Sequence, residues 1–388
     1  MQIVKFGVIG CGGIANATHI GEELVPLLIK KKRAKLVAVC DLVEERARLT
    51  KERWRVKEYF TDSDKMLERA DIDAVIIATG MSSHGPLAIK AAKAGKHFFV
   101  QKPMATNMRD ANAVVMETRR AKVKGQVRPD TPLSTLYRKA REVVREGHIG
   151  RPLWFQSGFG RDAPDWGAET FFSKEAGGAL FDLGVYSVAP VTYILGPAKR
   201  IVGLSTVSIP TRSIMTNDAY TKVLADYLRG GKFRVWDNNV AHEEVRIGAE
   251  DNTFTLLDMG KGCLGIIISN FIMPHGLRRP IPEAEIEIYG DGGGLIVGGV
   301  KGSPLSVLTM KRDSKYRVSR DSSSGPRDWF SFRTMTSGEN QLVHFVDCIE
   351  NDEEPLPNVE WGRHVSEIMI KSLESARTGR ALEIESTF

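Results

Sequence analysis

Gly10-Cys11-Gly12-Gly13-Ile14-Ala15 closes an apolar run, Ile3 to Ile9, and is suited to receive a dinucleotide. Gly10 can take the positive φ of a tight turn. Gly12 lets the main chain approach a pyrophosphate with no Cβ in the way, and Ala15 is small enough for the next helix to pack on the strand. The N–H groups of Gly12, Gly13, Ile14 and Ala15 would then face the phosphates, with the positive end of a helix dipole behind them. A second apolar run, Leu36 to Cys40, ends in Asp41, placed to accept hydrogen bonds from both adenosine ribose hydroxyls. That carboxylate repels a 2′-phosphate, so NAD is expected over NADP.

Three further patches bear chemistry of their own. Gln101-Lys102-Pro103 follows a strand-like run, His97 to Val100, and Thr79-Gly80 to His84 follows another, Ala74 to Ala78. Doubly wound sheets bind ligands at such strand ends, so Thr79, Gln101 and Lys102 are candidates for the cofactor site. His84 either touches the cofactor or caps the helix after it. The third patch runs from Gly177 to Tyr186, where Asp182 and Tyr186 stand four apart and would share one helix face.

These residues need a scaffold, and the chain of 388 residues is long enough for two domains. Hydrophobic residues at 42% and charged residues at 26% are globular values, which exclude disordered and fibrous classes. The net charge of +6 includes one dense basic run, Lys30 to Arg33, better placed at a helix end than in a nucleic-acid patch. The four cysteines lack ligand spacing and read as reduced thiols, and the eight histidines show no metal-site pattern. No leader and no apolar run of membrane-spanning length are evident, so a soluble, cytoplasmic protein without membrane or nucleic-acid partners is expected.

Alternating apolar runs and helical stretches (44 to 55, 85 to 94, 107 to 121) predict a doubly wound parallel sheet over residues 1–125, a Rossmann domain. An amphipathic helix over 134 to 146 opens residues 126–388, read as a substrate-binding and oligomerisation α+β domain. Period-two runs at 152–159, 199–208, 219–227, 232–237, 253–258, 263–271 and 284–289 predict a large, mainly antiparallel open sheet. One of its faces would be free for a homodimer or homotetramer. Residues 313–339 read as a long surface loop, and 340–376 as helix broken near 352 to 358.

Across nearly its whole length the chain resembles the Gfo/Idh/MocA oxidoreductases. The resemblance rests on the Gly10 to Ala15 turn, Ala94-Gly95-Lys96-His97, Lys102-Pro103, Gly147 to Pro152, and the Gly-Gly-x-x-x-Asp-x-Gly block. It implies that Lys102 lies by nicotinamide and substrate, that Asp182 orients the substrate hydroxyl, and that Tyr186 is the acid/base. Gln101 departs from the family's usual glutamate, and Tyr186 replaces the histidine of many members. The tyrosine form resembles the glucose–fructose oxidoreductase and dihydrodiol/xylose dehydrogenase branches and implies sugar or polyol substrates.

Physical chemistry agrees with that assignment. Alcohol oxidation needs a base for the hydroxyl proton while the hydride departs. A free phenol, with pKa about 10, is a poor base at neutral pH. A nearby ammonium such as that of Lys102 and a cationic nicotinamide both favour phenolate, commonly by about 1 to 3 pKa units. Arg128, Arg161 and Trp166 could line a sugar pocket, since forked guanidinium donors and aromatic faces suit hydroxylated rings. An NAD-dependent sugar or polyol dehydrogenase or reductase is therefore expected. The alternatives are NAD-dependent glycoside cleavage by transient ring oxidation and elimination, and a non-enzymatic NAD-binding regulator.

Overall fold

The computed structural model describes residues 3–69, 71–174, 177–232, 240–273, 285–298, 303–318, 329–332, 334–335 and 338–388. Six strands form a parallel sheet: β1 (Val4–Ile9), β2 (Ala34–Cys40), β3 (Glu58–Phe60), β4 (Ala74–Ile77), β5 (His97–Val100) and β6 (Gly125–Val127). Their order, β3-β2-β1-β4-β5-β6, reverses direction between β1 and β4, and such a switch point opens a ligand crevice at the strand ends. Both faces are covered, which is why β4 is buried along its whole length. The helix Ile14–Ile29 follows the glycine turn and is wound wider than an α-helix, with Pro26 inside it. Asn107 opens the helix Met108–Ala121 by accepting the Asp110 N–H through its side chain.

A nine-stranded sheet occupies the rest of the chain, in the order β16-β15-β14-β13-β7-β12-β11-β8-β17. These strands are β7 (Pro152–Gly160), β8 (Arg200–Thr206), β11 (Asn252–Asp258), β12 (Leu264–Asn270), β13 (Glu285–Gly290), β14 (Gly293–Val297), β15 (Leu305–Thr309), β16 (Phe330–Ser331) and β17 (Leu382–Glu383). All neighbours pair antiparallel except β7 with β12. One face carries the helices Thr135–Arg145, Val185–Leu195 and Val359–Thr378, whose Val143, Val188 and Ile368 join Phe155 and Ile267 of the sheet in one core. The other face exposes Trp154, Val202, Leu204, Phe254, Leu256 and Leu264.

The expected fold class is present, with several local departures. Residues 219–227 are not a strand but part of the helix Asn217–Leu228, opened by Thr216, whose hydroxyl accepts the Ala219 N–H. The antiparallel pair β9 (Thr211–Met215) and β10 (His242–Arg246), together with β14 and β15, lies where the sequence reading assigns no strand. Of the expected strand over 232–237, residues 233–237 fall outside the described residues. Within the expected surface loop, Tyr316 is buried and packs on Phe330 and Phe332, so its aromatic residues belong to the core. The expected break near 352 to 358 is real, but the helices it separates, Gln341–Asn351 and Val359–Thr378, serve different layers. Phe345 of the first packs on Phe6 and Phe99 of the parallel sheet.

Candidate active site

The glycine turn has the geometry its sequence requires. Gly10 has φ +91°, and a Cβ there would collide with the Ala78 carbonyl. Its N–H donates to the Cys40 carbonyl at 2.8 Å, which ties the ends of β1 and β2 together. Asp41 is thereby brought beside the turn, where its carboxylate accepts the Cys11 N–H and the Val43 N–H, each at 2.8 Å. Each oxygen keeps acceptor capacity beyond that bond. The cradle at Gly10 and Gly12 and the Asp41 carboxylate fit a dinucleotide with a free ribose, and Ile14, 56% exposed, leaves the start of the helix open. The Gly13 N–H has a partner from far along the chain, donating to the Tyr220 hydroxyl at 2.9 Å.

Lys102, Asp182 and Tyr186 are brought together. Lys102 leaves the end of β5, while Asp182 and Tyr186 lie on consecutive turns, Leu180–Gly184 and Val185–Leu195. The Lys102 Nζ donates to Asp182 Oδ1 at 2.5 Å and to the Asp182 carbonyl at 2.8 Å, and lies 5.1 Å from the Tyr186 ring centroid. Burial alone would lower the lysine pKa, but the charges of Asp182 and Tyr186 outweigh it and hold Lys102 above its ordinary value. The ammonium is therefore fixed on the carboxylate and over the ring face. Asp182 Oδ2 is buried with no hydrogen-bond partner, and an Arg161 terminal nitrogen is 3.7 Å from it.

Gln101 has a defined environment that a carboxylate would not satisfy. Its amide Nε2 donates to His19 Nε2 at 2.8 Å, and His19 Nδ1 donates to Glu23 at 2.8 Å. Burial holds the His19 pKa down, so the ring carries one proton and needs a donor at Nε2. An amide supplies that donor and an ionised glutamate does not. Burial works against the Glu23 carboxylate, but His19, Gln341 and Arg128 together keep its pKa below the ordinary value. Arg128 is paired with Asp130 at 3.8 Å.

His84 is 1% exposed, with Nδ1 2.8 Å from the Pro103 carbonyl and Nε2 3.1 Å from the Thr79 carbonyl. Burial lowers its pKa to about 4, so the neutral ring carries a single N–H and can donate to only one of these two carbonyls. The Thr79 hydroxyl in turn shares a hydrogen bond of 2.7 Å with Ser83. Trp166 stacks on Phe171 at 5.1 Å, and the helical turn that follows Trp166 approaches the same loop, where a Cβ on Gly80 would lie 3.3 Å from the Thr170 hydroxyl. Sequence reasoning missed His19 and Glu23, although their spacing of four on one helix was available. It also missed Tyr220, which has no local signal, since 207 residues separate it from Gly13.

Comparison with known proteins follows this geometry. Residues 4–128 match the model of an oxidoreductase family with an NAD-binding Rossmann fold, and residues 137–296 match the GFO/IDH/MocA C-terminal domain. The chain is 25% identical over 352 residues to the scyllo-inositol 2-dehydrogenase (NAD(+)) of Bacillus subtilis, covering 91% of this chain and 89% of that protein. It is 24% identical to the myo-inositol 2-dehydrogenase of Thermotoga maritima, covering 98% and 99%. The crystal structure of an oxidoreductase domain protein from Kribbella flavida shares the fold, with a TM-score of 0.77, 19% identity and full coverage of both chains.

Proposed function

Because the chain belongs to the Gfo/Idh/MocA oxidoreductase family and carries its NAD-binding Rossmann domain, we propose that it transfers a hydride between NAD and a hydroxyl or carbonyl carbon of a sugar, sugar derivative or polyol. The observation that supports this reading best is Asp182 Oδ2, a buried acceptor with no hydrogen-bond partner, 3.7 Å from Arg161 and beside a fixed ammonium and a phenol. Buried polar atoms are nearly always satisfied, and a substrate hydroxyl would supply the missing donor. Residues 1–125 then act as the cofactor domain and 126–388 as the substrate and assembly domain.

Hydride acceptance is the chemistry a nicotinamide supplies when bound at Gly10, Gly12, Gly13, Ile14, Asp41, Thr79 and the Gln101-Lys102 strand end. In the mechanism the chain's own groups handle the proton. Asp182 accepts the hydrogen bond of a substrate hydroxyl and sets its direction. Tyr186 takes the proton at its hydroxyl oxygen and returns it in the reverse reaction. Lys102 holds Asp182 in place and sets its positive charge over the Tyr186 ring face. Arg128, Arg161 and Trp166 border the substrate and give donors and an aromatic face to a hydroxylated ring.

The test is a screen over monosaccharides, uronates, inositols and aryl glycosides with product analysis. NADH is expected to accumulate in proportion to substrate consumed, with any aglycone retained and NADP supporting rates at least about tenfold lower through Asp41. Release of aglycone with NAD unchanged at the end would transfer the assignment to redox-assisted cleavage.

No described helix is long and apolar enough to cross a membrane. The exposed face of the nine-stranded sheet is continuous, since Leu204 pairs with Phe254, Val202 with Leu256, and Leu264 with both Asp258 and Trp154. A flat apolar stripe of that kind suits a second copy of itself about a two-fold axis. Leu204→Asp with Leu256→Asp is expected to convert a dimer or tetramer to monomer in sedimentation equilibrium, and an unchanged mass would refute the interface.

A further inference from the structure

The helix Asn217–Leu228 comes from the second half of the chain, yet it is seated on the dinucleotide end of the first. Leu224, Ala225 and Leu228 pack with Leu49 of the helix Glu44–Trp54 in a small core of their own. Tyr220 extends from it to the glycine turn, where its hydroxyl accepts the Gly13 N–H at 2.9 Å and would lie 3.4 Å from a Cβ on Gly12. The Arg46 guanidinium covers the ring, 5.0 Å from its centroid. Arg46 also donates to the Thr221 hydroxyl at 2.9 Å and to the Asn217 carbonyl at 3.3 Å, so it fastens the start of the helix.

The Gly13 N–H carries one hydrogen and is one of those a glycine turn presents to a phosphate. Tyr220 and a dinucleotide phosphate therefore claim the same donor at the same place. We propose that the helix Asn217–Leu228 is a clasp on the cofactor site, with the Tyr220 hydroxyl holding the Gly13 N–H that a phosphate takes on binding. The proposal rests on NAD being the cofactor. Nucleotide binding and release of the clasp are then one equilibrium, and apparent affinity is the intrinsic affinity multiplied by the fraction of molecules in which the clasp is open. The packing around Leu224 and Leu49 is small and peripheral, as a movable element requires.

Tyr220→Phe keeps the ring beneath Arg46 and the helix packing, and removes only the competing hydroxyl. Calorimetric titration with NAD is expected to show binding about three- to tenfold tighter than wild type, the weight of one net hydrogen bond. In the wild-type protein, saturating NAD is expected to speed hydrogen exchange of the amides over 217–228. Equal or weaker binding by Tyr220→Phe, or slower exchange of the helix with NAD, would overturn the clasp. Absence of binding to both proteins would instead remove the NAD reading beneath it.

Discussion

Tyr186→Phe is expected to lower kcat by about 10² to 10⁴, the usual weight of a general acid or base, with little change in NAD affinity. The phenylalanine keeps the edge-on packing against Phe159, 6.0 Å between centroids, and leaves the ring face for the Lys102 ammonium. Only the hydroxyl is lost, so a fall in kcat reports on proton transfer and not on a collapsed site. Lys102→Met is expected to cost a comparable factor, because it removes the positive charge over the Tyr186 ring face and releases Asp182. The double variant should be close to the worse single one, since residues acting as a unit give losses that do not add. The pH profile of kcat/KM on one substrate decides the matter. A near-wild-type rate and an unchanged pH profile in Tyr186→Phe would show that another group takes the proton, Asp182 being one alternative.

What the sequence reveals of this site follows how local its causes are. The glycine turn, Asp41 and Lys102 lie at strand ends whose apolar runs are continuous, and a parallel sheet covered on both faces leaves few other readings. Asp182 and Tyr186 share a helix, so their four-residue spacing carries the geometry. The run 219–227 suggests a strand by its period-two pattern, and the structure makes it part of the helix Asn217–Leu228. Tyr220, Thr221, Val223, Leu224, Tyr227 and Leu228 also repeat at helical spacing, and the Thr216 cap and burial against Leu49 settle the outcome. The Gln101 amide is intelligible only once His19 is seen beneath it, 82 residues away in sequence.

Asp182→Asn is the substitution expected to cost most in stability as well as activity. Lys102 and Asp182 have side chains only 14% and 7% exposed, and removing one charge of such a pair leaves the other buried without compensation. Losses of about 3–5 kcal/mol are usual for that change, and the lower end is expected because an asparagine oxygen can still accept from Nζ. The pH dependence has a definite sign. In the native wild type the Lys102 pKa stands above its ordinary value, so the pair's stabilisation is present below about pH 10.4 and is lost as pH rises through the native pKa. Without the Asp182 charge, burial would prevail and the Lys102 pKa would fall, so protonation would favour the unfolded chain. The stability gap between wild type and Asp182→Asn is therefore expected to be widest near neutral pH and to narrow as pH rises beyond about 10.4. Urea unfolding of both proteins at pH 7 and at alkaline pH measures it. A gap that stays constant would show that Lys102 does not owe its raised pKa to Asp182. Catalysis should also suffer, because the asparagine removes the negative charge proposed to orient a substrate hydroxyl.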